Sequence, residues 1–138
     1  MRALLALCCA VALGGCAIVA SGMDWLPVAS VLVLVFVFSH YFFASTTAHI
    51  SAMLLAFLTV GAQLIPPQYL IPFMLMMTAG SSIMMTLTHY ATGTSPIIFG
   101  SGYVTMGNWW RTGLIMCLVE LAIFAVVGTI WWKVLGYW

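Results

Sequence analysis

The stretch HYFFASTTAHISAM, residues 40–53, decides how the chain is read, because it places polar side chains within a strongly apolar sequence. Three hydroxyls are consecutive, at Ser45, Thr46 and Thr47, and the imidazole of His49 follows closely. An unpartnered polar group in apolar surroundings costs free energy. The fold must therefore either satisfy these groups internally or use them to bind something.

The composition around this stretch indicates that the chain lies in lipid. Hydrophobic residues make up 65% of the sequence and charged residues only 4%, whereas a soluble domain has about a quarter charged residues. The segment 25–110 contains no Asp, Glu, Lys or Arg, and a membrane-spanning helix needs about 20 apolar residues. We therefore predict an all-α polytopic membrane protein. A net charge of +1 is too small to indicate nucleic acid as a partner.

The N-terminal segment, residues 1–24, is hydrophobic and has two interpretations. It begins like a secretory or lipoprotein signal, but a signal peptide should release a polar chain, and here apolar sequence continues. We favour a retained span over residues 3–21. The cysteines lack the spacing of a zinc site or a disulfide framework and are interpreted as apolar packing residues: Cys8, Cys9, Cys16 and Cys117.

Interruptions in the apolar pattern divide the rest of the chain. The pattern over residues 25–60 predicts a helical hairpin with its tip at 45–47. Its second arm, residues 48–60, is short for a full crossing and favours a re-entrant path. Residues 69–105 predict a helix broken at 91–96, where Gly93 and Pro96 oppose helix continuation. Residues 109–132 predict a final span, bounded by tryptophans and cations as at membrane interfaces.

Two interrupted elements in a membrane protein are typical of a secondary transporter. In such folds the ends of discontinuous helices meet near the midplane and hold the substrate. A carboxylate only accepts hydrogen bonds, so hydroxyls and helix N-termini can bind it without an arginine. The candidate donors are Ser45, Thr46 and Thr47 at the hairpin tip, with Thr92, Thr94 and Ser95 at the helix break.

Three motifs, FASTTAHISAM, HYATGTSPIIFGSGYV and WWRTGL, resemble the C-terminal half of the divalent anion:sodium symporter family. The resemblance implies transport of citrate, succinate, malate or 2-oxoglutarate by a protein with two inverted repeats. It places Ser45, Thr46 and Thr47 at the second hairpin tip and Thr92, Gly93 and Thr94 at the second helix break. Substrate binding is implied for both groups.

The chain departs from the symporter signature in two places. Thr46 stands where the family has Asn, and Gly93-Thr94 stands where it has Pro-Pro. These departures argue against a sodium site at Ala44, Thr46 and Thr92, and no cofactor is expected. The variant is similar to the citrate/succinate, tartrate/succinate and 2-oxoglutarate/malate antiporters, which exchange one anion for another. His49 or His40 could supply positive charge to the substrate, or could only bond a carbonyl within the protein.

The resemblance also implies what lies beyond this chain. The first repeat is missing, so we expect the chain to be inactive alone and to need an N-terminal half. The complete protein is expected to be a homodimer in the bacterial inner membrane. A small packing subunit or lipoprotein without transport is the alternative, and we expect no enzyme. Glu120, which is costly within a span, has no counterpart in the family signature and is assigned either a structural or a functional role.

Overall fold

The computed structural model describes residues 24–137, which form helices and turns without a β-strand. The predicted N-terminal span, residues 3–21, lies outside the described residues, and of the segment 1–24 only Asp24 lies within them. The helices are α1 (Trp25–Ser39), α2 (Thr46–His49), α3 (Leu55–Leu64), α4 (Leu70–Ile83), α5 (Ser95–Gly100) and α6 (Met106–Val134). A π-helical turn, Ile50–Leu54, joins α2 to α3, and 3₁₀ turns lie at His40–Phe42, Pro67–Tyr69 and Met84–Thr86.

Within residues 24–137, four helical stretches have the length and apolarity needed to cross a membrane. They are Trp25–Phe42, Thr46–Leu64, Pro67–Thr86 and Met106–Val134. The prediction of an all-α polytopic membrane protein is confirmed.

The core forms where α1 packs against α3 and α4. Phe36 of α1 meets Phe57 of α3 edge to face, with ring centroids 5.4 Å apart. Gly80 lets α4 approach α1 closely, since a Cβ there would lie 3.3 Å from side-chain atoms of Val33 and Val37. The hairpin arms and α4 therefore form one packed unit, which supports the hairpin tip.

Helix α6 lies against this unit along a narrow stripe. Of its 29 residues only Gly113, Cys117 and Trp132 are buried, so most of its apolar side chains are free to face lipid. A Cβ at Gly113 would overlap the carbonyl oxygen of Thr86. The glycine therefore permits the backbone of α6 to touch the 3₁₀ turn that follows α4.

The predicted hairpin, residues 25–60, differs from the structure in its second arm. The helical stretch runs from Thr46 to Leu64 and is longer than the predicted 48–60. It begins earlier because Ser45 is an N-cap whose side chain accepts a hydrogen bond from the amide of Ala48. It continues to Leu64 because the next proline along the chain, Pro66, restricts only Ile65. The prediction of a short second arm is therefore wrong. The re-entrant path, which was inferred from that short arm, stays a prediction.

The predicted broken helix, residues 69–105, is interrupted earlier than expected. Regular helix ends with the turn Met84–Thr86, and only the six residues of α5 follow the break. Pro96 lies in the first turn of α5, where a missing amide proton is tolerated, so it begins a helix instead of breaking one. The final span is also longer than the predicted 109–132, because Thr105 caps α6 by accepting a hydrogen bond from the amide of Asn108.

Candidate functional site

The hairpin tip and the helix break meet through one carbonyl group. The backbone amide of Thr46 donates to the carbonyl oxygen of Ala91 at 2.9 Å, and the Thr46 hydroxyl donates to the same oxygen at 2.6 Å. Thr46 is buried. This double contact joins two segments that are 45 residues apart in sequence. It therefore brings the hydroxyl residues of the hairpin tip next to those of the helix break.

The break carries its own cluster of hydroxyls. Thr92 Oγ1 lies 2.7 Å from Ser95 Oγ and 3.1 Å from Thr94 Oγ1. It also accepts a hydrogen bond from the amide of Ser95 at 3.2 Å. These contacts hold the start of α5 against the end of the break. Gly93 lies between them with no neighbouring atom within 4 Å of the position of a Cβ.

The predicted substrate-binding residues differ in how much of them is accessible. Thr47, Gly93 and Thr94 are exposed, whereas Ser45 and Thr92 are half-buried. The Thr46 hydroxyl donates its single proton to the carbonyl oxygen of Ala91. This geometry supports a role for Thr46 in joining the two segments. Its predicted role as a substrate donor stays a prediction, as do those of the other five residues.

The three residues considered above for a sodium site all lie around this contact. Ala44 is exposed, Thr46 is buried, and the Thr92 hydroxyl already bonds within the break. The expectation that these three residues do not form a sodium site stays a prediction.

Both predicted charge-supplying histidines lie beneath the tip and are fully buried. The ring of His49 stacks between Phe36 and Phe43, at centroid distances of 4.6 and 4.5 Å. Its Nε2 lies 2.9 Å from Ser39 Oγ, and its Nδ1 contacts Met84 Sδ. His49 therefore packs the hairpin core, and its role as a positive charge for substrate stays a prediction.

His40 lies next to His49, with ring centroids 5.5 Å apart. Its Nε2 lies 3.5 Å from the hydroxyl of Thr88. Its Nδ1 is the one buried side-chain nitrogen or oxygen in residues 24–137 without a hydrogen-bond partner. Its role as a charge for substrate also stays a prediction.

The repeated pair His-Tyr before each hydroxyl cluster has a structural counterpart. Tyr90 donates its hydroxyl proton to the carbonyl of Tyr41 at 3.4 Å, and His40 meets Thr88 in the same region. The residues that precede the tip and the break therefore lie against each other. The pair occurs at His40-Tyr41 and at His89-Tyr90, but its repetition alone does not predict this contact.

A cavity of about 470 Å³ adjoins the break on the side of α6. Thr92 and Ser95 line it from the break, and Asn108 and Thr112 line it from the first turns of α6. Sequence reasoning missed these two residues. Their spacing of four on a helix, next to the WWR motif, was the available signal, since residues four apart share a helix face.

We predict that Thr46→Val will destabilise the folded chain by about 1 kcal/mol. The substitution keeps the side-chain shape and the amide's hydrogen bond but removes the hydroxyl's hydrogen bond to Ala91. A typical intramolecular hydrogen bond contributes about that much. Thr46→Ser should retain most of the stability. The measurement is the midpoint of unfolding in mixed micelles, followed by helical circular dichroism.

Thr59→Val is the matched control for this prediction, because the Thr59 hydroxyl is exposed and bonds only the carbonyl of Ala56 in its own helix. Equal midpoints for Thr46→Val and Thr59→Val would contradict the prediction.

Comparison with known proteins gives a consistent set of relatives. A family model described as the sodium:sulfate symporter transmembrane region matches residues 14–138. The chain is 43% identical over 117 residues to dicarboxylate transporter 1, chloroplastic, of Spinacia oleracea. The aligned part covers 85% of this chain and 20% of the relative. It is 33% identical over 114 residues to dicarboxylate transporter 2, chloroplastic, of the same species, covering 83% and 20%.

The chain is also similar to a bacterial protein. The L-tartrate/succinate antiporter of Escherichia coli is 41% identical over 115 residues, covering 83% of this chain and 23% of the relative. The chain therefore spans about a fifth of the length of the curated relatives it matches. The family match covers most of the chain, including both hydroxyl clusters. The chain belongs to the family of the sodium:sulfate symporter transmembrane region.

Proposed function

We propose that this chain forms part of a secondary transporter that exchanges dicarboxylate anions across a membrane. The observation that supports this most directly is the contact of Thr46 with Ala91, by amide and hydroxyl at 2.9 and 2.6 Å. It brings the hydroxyls of the hairpin tip to those of the helix break. The relatives named a dicarboxylate transporter and an L-tartrate/succinate antiporter support the same class of substrate.

The chemistry of the cluster suits a carboxylate. Carboxylate oxygens accept hydrogen bonds and donate none, and bonds to a charged group contribute about 1.5–3 kcal/mol each. We assign donation to the accessible hydroxyls of Ser45, Thr47 and Thr94. The helix dipole at the start of α2 also favours an anion there. Gly93 leaves open space beside them, and Thr92 orients Thr94.

This assignment gives Thr46 a positioning role. Because its hydroxyl proton is held by Ala91, Thr46 fixes the relative position of tip and break instead of donating to the substrate. The antiport mechanism needs only that the empty carrier reorients poorly. Each anion carried one way then requires one carried back.

The remaining parts of the proposal concern the whole protein. We propose that a further polypeptide segment supplies the first repeat and completes the site, that the complete carrier is a homodimer, and that it lies in the inner membrane of a bacterium. Residues 25–138 would then be the C-terminal part of its transport domain. The bacterial relative supports the location.

The test is exchange of a radiolabelled dicarboxylate in liposomes by a complete transporter built around this half. We predict that Thr47→Ala raises the half-saturating concentration about tenfold or more, since one hydrogen bond to a charged group is lost. Thr47→Ser should restore most of the affinity. The matched control is Thr59→Ala, an exposed threonine of α3 whose hydroxyl bonds its own helix.

Unchanged kinetics for Thr47→Ala would refute the assignment. If the chain is instead a packing subunit, hydroxyl substitutions at both clusters should alter assembly and leave every flux unchanged. Removing sodium from both sides should leave the exchange rate unchanged, and a sodium requirement would favour symport at Ala44, Thr46 and Thr92.

A further inference from the structure

Glu120 is an ionisable residue within the longest span and is not part of the proposed substrate site. It follows Gly113 and Cys117 on the same face of α6, at spacings of seven and three residues, and both of these are buried. Glu120 is half-buried. It therefore faces the packed unit and not open lipid. An ionised carboxylate within a span costs about 3 kcal/mol, so such a group needs a neutralising partner.

The side chain that meets Glu120 is Thr86, the last residue of the 3₁₀ turn after α4. Thr86 Oγ1 lies 3.3 Å from Glu120 Oε2 and 3.1 Å from the carbonyl oxygen of Ile83. Both neighbours are oxygens, but a threonine hydroxyl has only one proton to donate. If the proton goes to the nearer oxygen, that of Ile83, the contact with Glu120 needs a proton from the carboxyl group.

Among the described residues that line the groove beside Glu120, none carries a positive charge. Glu120 borders a groove of about 610 Å³ between α4 and α6, and its lining contains no Lys, Arg or His. The nearest titratable side chain on α6 is Cys117, one turn earlier, whose charged form is also an anion. A metal cation would need several oxygen ligands, and the other hydroxyls nearby are those of Ser82 and Thr86.

We propose that Glu120 is a proton-binding site, in which the neutral carboxyl group donates its proton to Thr86 Oγ1 and Thr86 donates to the carbonyl of Ile83. The Thr86 and Glu120 protons then each have an acceptor, and no charge lies at Glu120 in the middle of the span.

The position of the site connects it to the break. The turn that holds Thr86 leads directly into the irregular segment that contains Ala91, which joins the break to Thr46. Loss of the proton would put two acceptors, Glu120 and Ile83, in competition for the single proton of Thr86. Protonation therefore links α6 to the segment on which the hydroxyl cluster is built. This consequence, but not the proton site itself, rests on the proposed function.

The site can be tested without transport, because Glu120 is the single glutamate of the chain. The chain is prepared with glutamate carrying carbon-13 at the side-chain carboxyl and placed in phosphatidylcholine bilayers at neutral pH. Infrared and solid-state carbon-13 spectra then report on one group. We expect a protonated carboxylic acid, with a hydrogen-bonded carbonyl band that is absent from Glu120→Gln.

Two substitutions identify the partner. Thr86→Val should shift the labelled carbonyl band to a higher frequency, as a weaker hydrogen bond requires, whereas Thr86→Ser should leave it in place. Thr78→Val is the matched control, because the Thr78 hydroxyl bonds only the carbonyl of Met74 in its own helix. Circular dichroism verifies that each variant keeps its helix content.

The outcomes that would overturn the proposal are specific. An ionised Glu120 at neutral pH, or ionisation when sodium is added at constant pH, would show that a cation and not a proton neutralises the group. An unshifted band in Thr86→Val would remove Thr86 as the acceptor. Failure of the exchange assay would not alter any of these spectra, so the two proposals can fail separately.

Discussion

His49→Ala should destabilise the folded chain by about 3–5 kcal/mol, because it empties the centre of the hairpin. The ring is fully buried and stacks on both Phe36 and Phe43. Removing a large buried ring leaves a cavity that the surroundings fill only in part, which costs about 3–5 kcal/mol for an aromatic side chain. The hydrogen bond with Ser39 is lost as well. Unfolding in mixed micelles, followed by circular dichroism, measures the effect.

His89→Ala is the control for this prediction. His89 is half-buried and its Nδ1 accepts a hydrogen bond from Trp110 Nε1 at 3.1 Å, so the substitution removes an imidazole without opening the core. His49→Phe should be intermediate, because it refills the stack but leaves Ser39 without its imidazole partner. The packing role would be refuted by equal stability of His49→Ala and His89→Ala.

The sequence predicts the class of fold and the approximate number of spans because a bilayer imposes a simple requirement. A span needs about 20 apolar residues, and absence of charge from residues 25–110 is visible without any structure. The bounds are less predictable. The cap at Ser45 lets the polar pair Thr46-Thr47 begin a helix, although their polarity suggested an irregular tip.

The helix break shows why a local motif is an incomplete guide. Gly93 and Pro96 mark the region, but the helix already ends in the turn Met84–Thr86, several residues earlier. That turn packs against α6, and this contact depends on Gly113, which lies outside the motif. A tertiary contact with a distant residue cannot be deduced from the residues of the break.

The candidate site was predictable as a set of side chains but not as a set of bonds. Hydroxyl residues at two interruptions, together with the family resemblance, were sufficient to nominate Ser45, Thr47 and Thr94. The carbonyl of Ala91, which joins the two segments, is a backbone atom and carries no signal in the side-chain pattern. The division between Thr46, whose proton is used internally, and the accessible Thr47 also depends on geometry alone.

Gly113→Ala should detach part of α6 from the helix break and destabilise the fold by about 3 kcal/mol. The added Cβ would overlap the carbonyl oxygen of Thr86 and lie 3.1 Å from that of Leu87. Both obstacles are backbone atoms, so no side chain can rotate away. Overpacking of this kind typically costs about 1–3 kcal/mol, and occasionally more. The effect should reach Glu120, which lies on the same face and contacts Thr86.

Cys117 offers a local measurement of this detachment, because it lies one turn after Gly113 and is fully buried. With Cys8, Cys9 and Cys16 replaced by serine, maleimide labelling reports on Cys117 alone. In the Gly113→Ala variant, Cys117 should be labelled faster than in the parent chain, and the variant should unfold at a lower denaturant concentration. Gly107→Ala, in the same helix but with no atom within 4 Å of a Cβ, should neither speed the labelling nor lower the unfolding midpoint, since alanine there meets open space. If the two variants label at the same rate, the contact between α6 and the turn is not what buries Cys117, and the link from Glu120 to the helix break fails with it.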